Sequence, residues 1–252
     1  MVSSADPAVA TLSSHSATAA TGAEIWSDLG VWPPNLQKAR AYEQILMDII
    51  LGHLPAGARL EERSLAKRYG AGLDGVRSAL NRLALEELVV RKARAATLVS
   101  ALDLQEVRQT FEVRRLLEPH CAALAAARNC SEEVAELRRA FEGASEALES
   151  GDRKSVVLMD LRFHASLARS SGNCVLARLL IALQHKAARF WAHVLASTAP
   201  DTSLAEISEH LTIVDAIERR DAEGAREAVF RVLARVSDQM DRAIAAGCAS
   251  PA

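Results

Sequence analysis

Between Leu36 and Val99 three helical patterns and two short β-prone runs follow one another, and few architectures accept that order in so short a span. Leu36 to Leu51 sets Ala41, Ile45 and Ile49 on one side of a helix, with Asn35 offering an N-cap and Gly52 ending it. After the turn LPAGARL comes a short helix, EERSLAKRYG. A second runs from roughly Asp74 to Glu87, with Val76, Leu80 and Leu83 as its apolar stripe. The runs LVVR and ATLV follow, separated by the basic KAR, and read as a hairpin. Helix, helix, turn, helix and hairpin together predict a winged helix-turn-helix, which presents one helix to a DNA groove.

From Asp103 onward every pattern is helical. Asp103 with Glu106 resembles a capping box and opens a helix to Asn129, with a kink expected at Pro119. Ser131 to Ser150, Asp152 to Ser170, Asn173 to Ala196, Ser203 to Arg220 and Asp221 to Gly247 complete six helices joined by short loops, an antiparallel bundle. The expected fold is therefore mainly α: a mobile leader over 1–34, a winged helix-turn-helix with a small β-hairpin wing over 35–100, and a six-helix bundle over 101–252. The leader is rich in Ala, Ser and Thr and ends in Trp32-Pro33-Pro34; Trp26 and Trp32 offer it a way to dock on the folded body.

The 252 residues are half hydrophobic, enough for a substantial core. No run approaches the roughly 18 apolar residues of a membrane span, so no membrane partner is expected. The first basic residue is Lys38, unlike the charged start of a secretory or mitochondrial presequence. Cys121, Cys130, Cys174 and Cys248 form no CxxC pair and fit reduced thiols in a cytoplasmic protein. Residues 36–100 hold 11 Lys/Arg against 7 Asp/Glu, whereas the remainder is slightly acidic, which points the first third toward a polyanion.

Within MDLRFHASLARSSGN, Asp160 and His164 lie four apart and point into the arc formed by Val156, Leu161, Phe163, Leu167 and Ala168. A carboxylate and an imidazole facing a core must be paired, hydrogen-bonded or bound to something. Two readings follow: an i, i+4 ion pair, or half of a metal site whose other ligands lie elsewhere.

GHLPAGARL, ERSLAKRYG and VRSALNRLALEELV, followed by EVRRLLEPHCAALAAAR, DLRFHASLARSSGN and EHLTIVDAI, resemble GntR-type transcriptional regulators of the FadR branch over residues 36–245. The resemblance implies a helical C-terminal domain that binds an effector and dimerises. It also implies a metal held by Asp160, His164 and His210, with the fourth ligand position falling on Val232, which cannot donate. His210 itself sits among Ile207, Leu211, Ile213, Val214 and Ile217 on its helix face. Such a donor set suits Zn, Ni, Mn or Fe, with water or an effector carboxylate filling the gap; without metal the three side chains form an internal network. Glu206, one turn before His210, is the nearest candidate for a replacement carboxylate.

The same resemblance casts Arg114 and Asn173 as effector-binding residues for a small organic acid. Their structural alternatives are a salt bridge from Arg114 to Glu118 and an N-cap at Asn173. Arg63, Arg77, Arg91, Lys92 and Arg94 are the DNA-binding residues it implies. The turn departs from the family pattern: Leu73 replaces an expected Arg, Asp74 and Gly75 follow, and Ala95 replaces the wing glycine. The expected function is a ligand-responsive regulator, not an enzyme, that binds double-stranded operator DNA as a homodimer in the cytoplasm. The alternative is a metal- or ligand-binding protein of the same fold that has lost specific operator recognition.

Overall fold

The structure, a computed structural model, describes residues 36–92, 96–196 and 198–245. The expected leader, the Asn35 cap, Arg94 and Ala95 lie outside the described residues.

Helix α1 (Gln37–Ile50) buries Ala41, Ile45 and Ile49, as its periodicity requires, together with Tyr42 and Leu46. Strand β1 (Arg59–Leu60), α2 (Glu62–Tyr69) and α3 (Leu73–Leu85) follow, and α3 turns Val76, Leu80 and Leu83 inward. Gly70, at φ +61°, ends α2 in the left-handed conformation that glycine adopts at least cost. Strands β2 (Val89–Lys92) and β3 (Ala96–Val99) form the wing hairpin, pairing Val89 with Val99. The hairpin gains a third strand, in the order β1-β3-β2, because the end of LPAGARL pairs with β3 and buries Leu60.

The bundle comprises α4 (Leu104–Arg128), α5 (Ser131–Arg139), α6 (Ala144–Glu149), α7 (Arg153–Ser170), α8 (Cys174–Leu195), α9 (Pro200–Glu218) and α10 (Ala222–Ala245). Asp103, Asp152 and Asn173 cap α4, α7 and α8 by accepting bonds from first-turn backbone N–H groups. Helix α4 runs on through Pro119. Two boundaries differ from expectation. Residues 131–150 form two helices, because Gly143 takes φ +81° and starts a new one. Helix α9 begins at Pro200 rather than Ser203: proline's missing N–H costs nothing at the first helical position, and Ser203 is buried inside the helix.

Helix α8 reaches the N-terminal unit. His185 Nδ1 lies 3.0 Å from Glu86 Oε2, to which Tyr42 donates its O–H at 2.7 Å, and Arg82 Nε donates to Glu86 Oε1 at 2.5 Å. Burial alone would raise the Glu86 carboxyl, but these donors outweigh it and hold the group at about 2. Lys186 pairs with Glu87 and Glu106, and Arg189 Nη2 donates to Ser100 O at 3.0 Å. Among the described residues no helix is long and apolar enough to cross a membrane.

Candidate metal centre

Asp160 and His164 on α7 meet His210 on α9, and one ligand atom from each lies within 4.8 Å of the others. All three side chains are buried. The converging atoms are oriented from outside the cluster. Gln184 Nε2 on α8 donates to Asp160 Oδ2 at 2.7 Å, which leaves Oδ1 toward the histidines, 3.5 Å from His164 Nε2 and 3.9 Å from His210 Nε2. His210 Nδ1 lies 3.0 Å from the Glu206 carbonyl oxygen, which can only accept, so Nδ1 carries the proton and Nε2 presents its lone pair. That Nε2 is buried and has no hydrogen-bond partner. Phe141 and Phe163 pack against the His210 ring at 5.2 and 5.1 Å between centroids and fix its plane.

His164 is oriented from its other nitrogen. Nδ1 donates to Glu118 Oε1, while Arg114 Nε donates to Glu118 Oε2 at 3.0 Å. A carboxylate behind a ligating imidazole fixes its tautomer and raises its basicity. Burial disfavours charge on His164, yet Glu118 and Asp160 outweigh it and push the group up to about 9. His210 goes the other way, to about 4, through burial and then the charge on His164. Glu118 is held at about 2, burial being outweighed by Arg114 and His164. The metal-free cluster thus balances two carboxylates against Arg114 and a protonated His164.

The residues present fit a divalent metal. Tetrahedral ligand atoms at ~2.0–2.1 Å from zinc stand about 3.3 Å apart, so the two Asp160–histidine separations need only a small contraction. The unpartnered His210 Nε2 is the atom such an ion would satisfy. A cavity of about 30 Å³ adjoins the cluster, and Arg114, Trp191, Arg235 and Val232 are among its walls. Val232 is 6% exposed and lines the same cavity as the three donors.

Arg114 reaches the cavity, but its Nε and one terminal nitrogen are engaged by Glu118, the salt-bridge alternative weighed from sequence. Asn173 is an exposed N-cap, accepting from Val175 N and Leu176 N, and does not line the cavity. Glu206 lines it and bonds Gln239. Gln184 carries no signal in the sequence beyond being the one side-chain amide within α8.

On the N-terminal unit Arg63, Arg77, Arg91 and Lys92 are all exposed. Arg77 is already committed: its Nε donates to Glu62 Oε2 at 2.7 Å, and Nη1 lies 3.6 Å from Asp74 Oδ1. Leu73 is 38% exposed at the start of α3. A Cβ on Gly75 would stand 3.4 Å from the Lys38 backbone nitrogen, so glycine there lets α3 approach α1 closely. Gln37 also caps α3 from outside, its Oε1 accepting from Gly72 N at 3.2 Å.

Residues 37–99 match the bacterial regulatory proteins of the gntR family, and residues 109–235 match the FCD domain. The chain belongs to the GntR family. Among curated relatives, the probable D-xylose utilization operon transcriptional repressor of Paenarthrobacter nicotinovorans is 32% identical over 186 residues, 73% of this chain and 80% of the relative. The regulator McbR of Escherichia coli K12 is 27% identical over 188 residues, 73% of this chain and 83% of that one. Among solved structures, E. coli McbR/YncC superposes with TM-score 0.72 at 20% identity, covering 82% of this chain and 97% of its own. A GntR regulator from Rhodococcus sp. RHA1 reaches 0.67 at 20%, covering 82% and 98%. These two likenesses carry the fold. The matched domains and relatives are transcriptional regulators, not enzymes, and this chain is a DNA-binding regulator of that family with an FCD effector domain.

Proposed function

We propose that this GntR regulator binds operator DNA as a cytoplasmic homodimer and responds to a small carboxylate that enters the FCD cavity beside a divalent metal held by Asp160, His164 and His210. The observation that carries this reading is the convergence of three buried ligand atoms on a cavity, with His210 Nε2 unpartnered. A bound metal would supply a Lewis-acidic centre with open positions for a carboxylate oxygen. Metal binding requires His164 to give up its proton, which leaves the formerly neutral cluster with excess positive charge. A buried excess of that sign favours an anion over a neutral sugar or amine. Arg114 helps set that charge.

In the N-terminal unit Arg63, Arg77, Arg91, Lys92 and Arg94 meet the duplex. Arg77 must leave Glu62 and Asp74 to do so, an exchange of one anion for another whose cost falls as phosphates approach. Fluorescence anisotropy with the protein's own promoter DNA tests this: Arg77→Ala weakens binding by about 1–3 kcal/mol. Unchanged affinity removes Arg77 from the interface. If the parent itself binds promoter and scrambled DNA equally at physiological salt, the second reading applies, a fold that has lost operator specificity. The exposed Leu73 and the carboxylate of Asp74 favour that reading.

A further inference from the structure

Helix α8 lines cavities on opposite sides. Gln184, Ala187, Ala188 and Trp191 line the metal-side cavity at spacings of three and four residues. Arg189, Ala192, His193 and Ala196 repeat those spacings five positions later and line a separate crevice of about 280 Å³. Five residues turn a helix by roughly 140°, so the two stripes point to opposite sides of the same rod. The crevice's other wall is the end of α1 and the turn after it, including Ile49, Leu54 and Pro55, so it lies between the N-terminal unit and the bundle.

Its chemistry is one-sided. The apolar wall carries no acid, and the polar lining is Arg189, Arg153 and His193. Arg189 is partly buried, donates to the Ser100 carbonyl, and has no carboxylate within 4.0 Å among the described residues. Acids on the side of Arg189 away from the crevice are engaged elsewhere: Glu87 and Glu106 by Lys186, and Asp103 as the cap of α4; Asp152, next to Arg153, caps α7 and is bonded to Ser155. Burial draws the Arg189 guanidinium below its ordinary range, with only partial relief from Glu106. A guanidinium in that position, with N–H groups left over and an apolar wall opposite, is complementary to an anionic head carrying a short hydrocarbon body.

We infer that the crevice between the turn after α1 and the Arg153–Arg189–His193 side of α7 and α8 is a second ligand site, which takes a small amphiphilic anion, a carboxylate or phosphate with an apolar tail. The head meets Arg189 and the tail lies along Leu54 and Ala192. Because the walls belong to both halves of the chain, an occupant joins them.

Calorimetric titration of the full chain with octanoate, octyl phosphate and the uncharged octanamide tests this. The expected result is one anion bound per chain, with octanamide binding at least about tenfold more weakly. Arg189→Gln should weaken the anion by about tenfold or more through the lost charge. Leu54→Glu, which sets a competing carboxylate opposite Arg189 and leaves that arginine in place, should do the same and covers the case in which Arg189→Gln misfolds. Binding of octanoate alone, or of octyl phosphate alone, supports the site and identifies the head group. The inference is overturned if the parent binds neither anion, if octanamide binds equally well, or if folded Leu54→Glu binds like the parent.

Discussion

Among the described residues, two buried clusters bring histidine and carboxylate together, and they do different things. Around Glu86 the donors Tyr42, Arg82 and His185 spend themselves on one carboxylate, whose two oxygens are both taken. Around Asp160 the second-layer groups Gln184 and Glu118, with the Glu206 carbonyl, hold the outer edges of three side chains and leave their inner atoms facing one another. The first arrangement is a weld between the N-terminal unit and α8. The second is a socket. Composition does not separate them; what separates them is whether lone pairs are consumed by hydrogen bonds or left converging on space.

The comparison is broken most forcefully at Glu86. Glu86→Ala leaves Arg82 without its carboxylate and should cost about 3–5 kcal/mol in chemical denaturation, as for other broken buried pairs. Asp160→Ala in metal-free protein should cost clearly less, because His164 keeps Glu118; equal losses would make both clusters welds. In zinc titration the order reverses. Asp160→Ala should lower affinity by more than the ~100-fold that loss of an outer partner can cost, and Glu118→Gln by about 10–100-fold. A Glu118→Gln protein that binds zinc like the parent would deny Glu118 its orienting role.

The smallest expected effect concerns acid. Glu86 stands at about 2 in the folded chain against an ordinary 4.5, so its contribution is complete above that ordinary value and drains away as pH falls toward 2. The groups facing it are Tyr42, Arg82 and His185. By pH 3.5 about 1 kcal/mol of this contribution should be gone relative to neutral pH, a portion that Glu86→Gln lacks. Parallel stability curves for parent and variant down to that pH would dismiss the linkage.

The same contrast explains what the sequence made legible. Asp103, Asp152 and Asn173 could be read as caps because each bonds a backbone N–H within three residues. Asp160, His164 and His210 could be read as facing a core because helical periodicity is local, and the structure does turn them inward. Glu118 behind His164 and Gln184 behind Asp160 were not legible as partners, since those bonds join residues 46 and 24 apart on different helices. Only the tertiary arrangement selects them. Gly143 was visible, but its left-handed backbone, which divides residues 131–150, is imposed by how α5 and α6 pack beside α7 and α9. The third strand at Arg59–Leu60 was hidden for a similar reason: two residues have no periodicity to read.

Helix α8 places Gln184 against Asp160 and His185 against Glu86, in consecutive residues of one continuous helix. That adjacency limits how this chain can change length over evolutionary time. Deleting one residue between Val175 and Leu183 would turn every later side chain by about 100° relative to the start of α8. The amide would then leave the socket and the imidazole would leave the weld in the same event. Insertions should therefore accumulate in the turns beyond the ends of α8, while descendants of this sequence keep the count from Asn173 to Arg189 fixed even where the identities of its apolar residues drift.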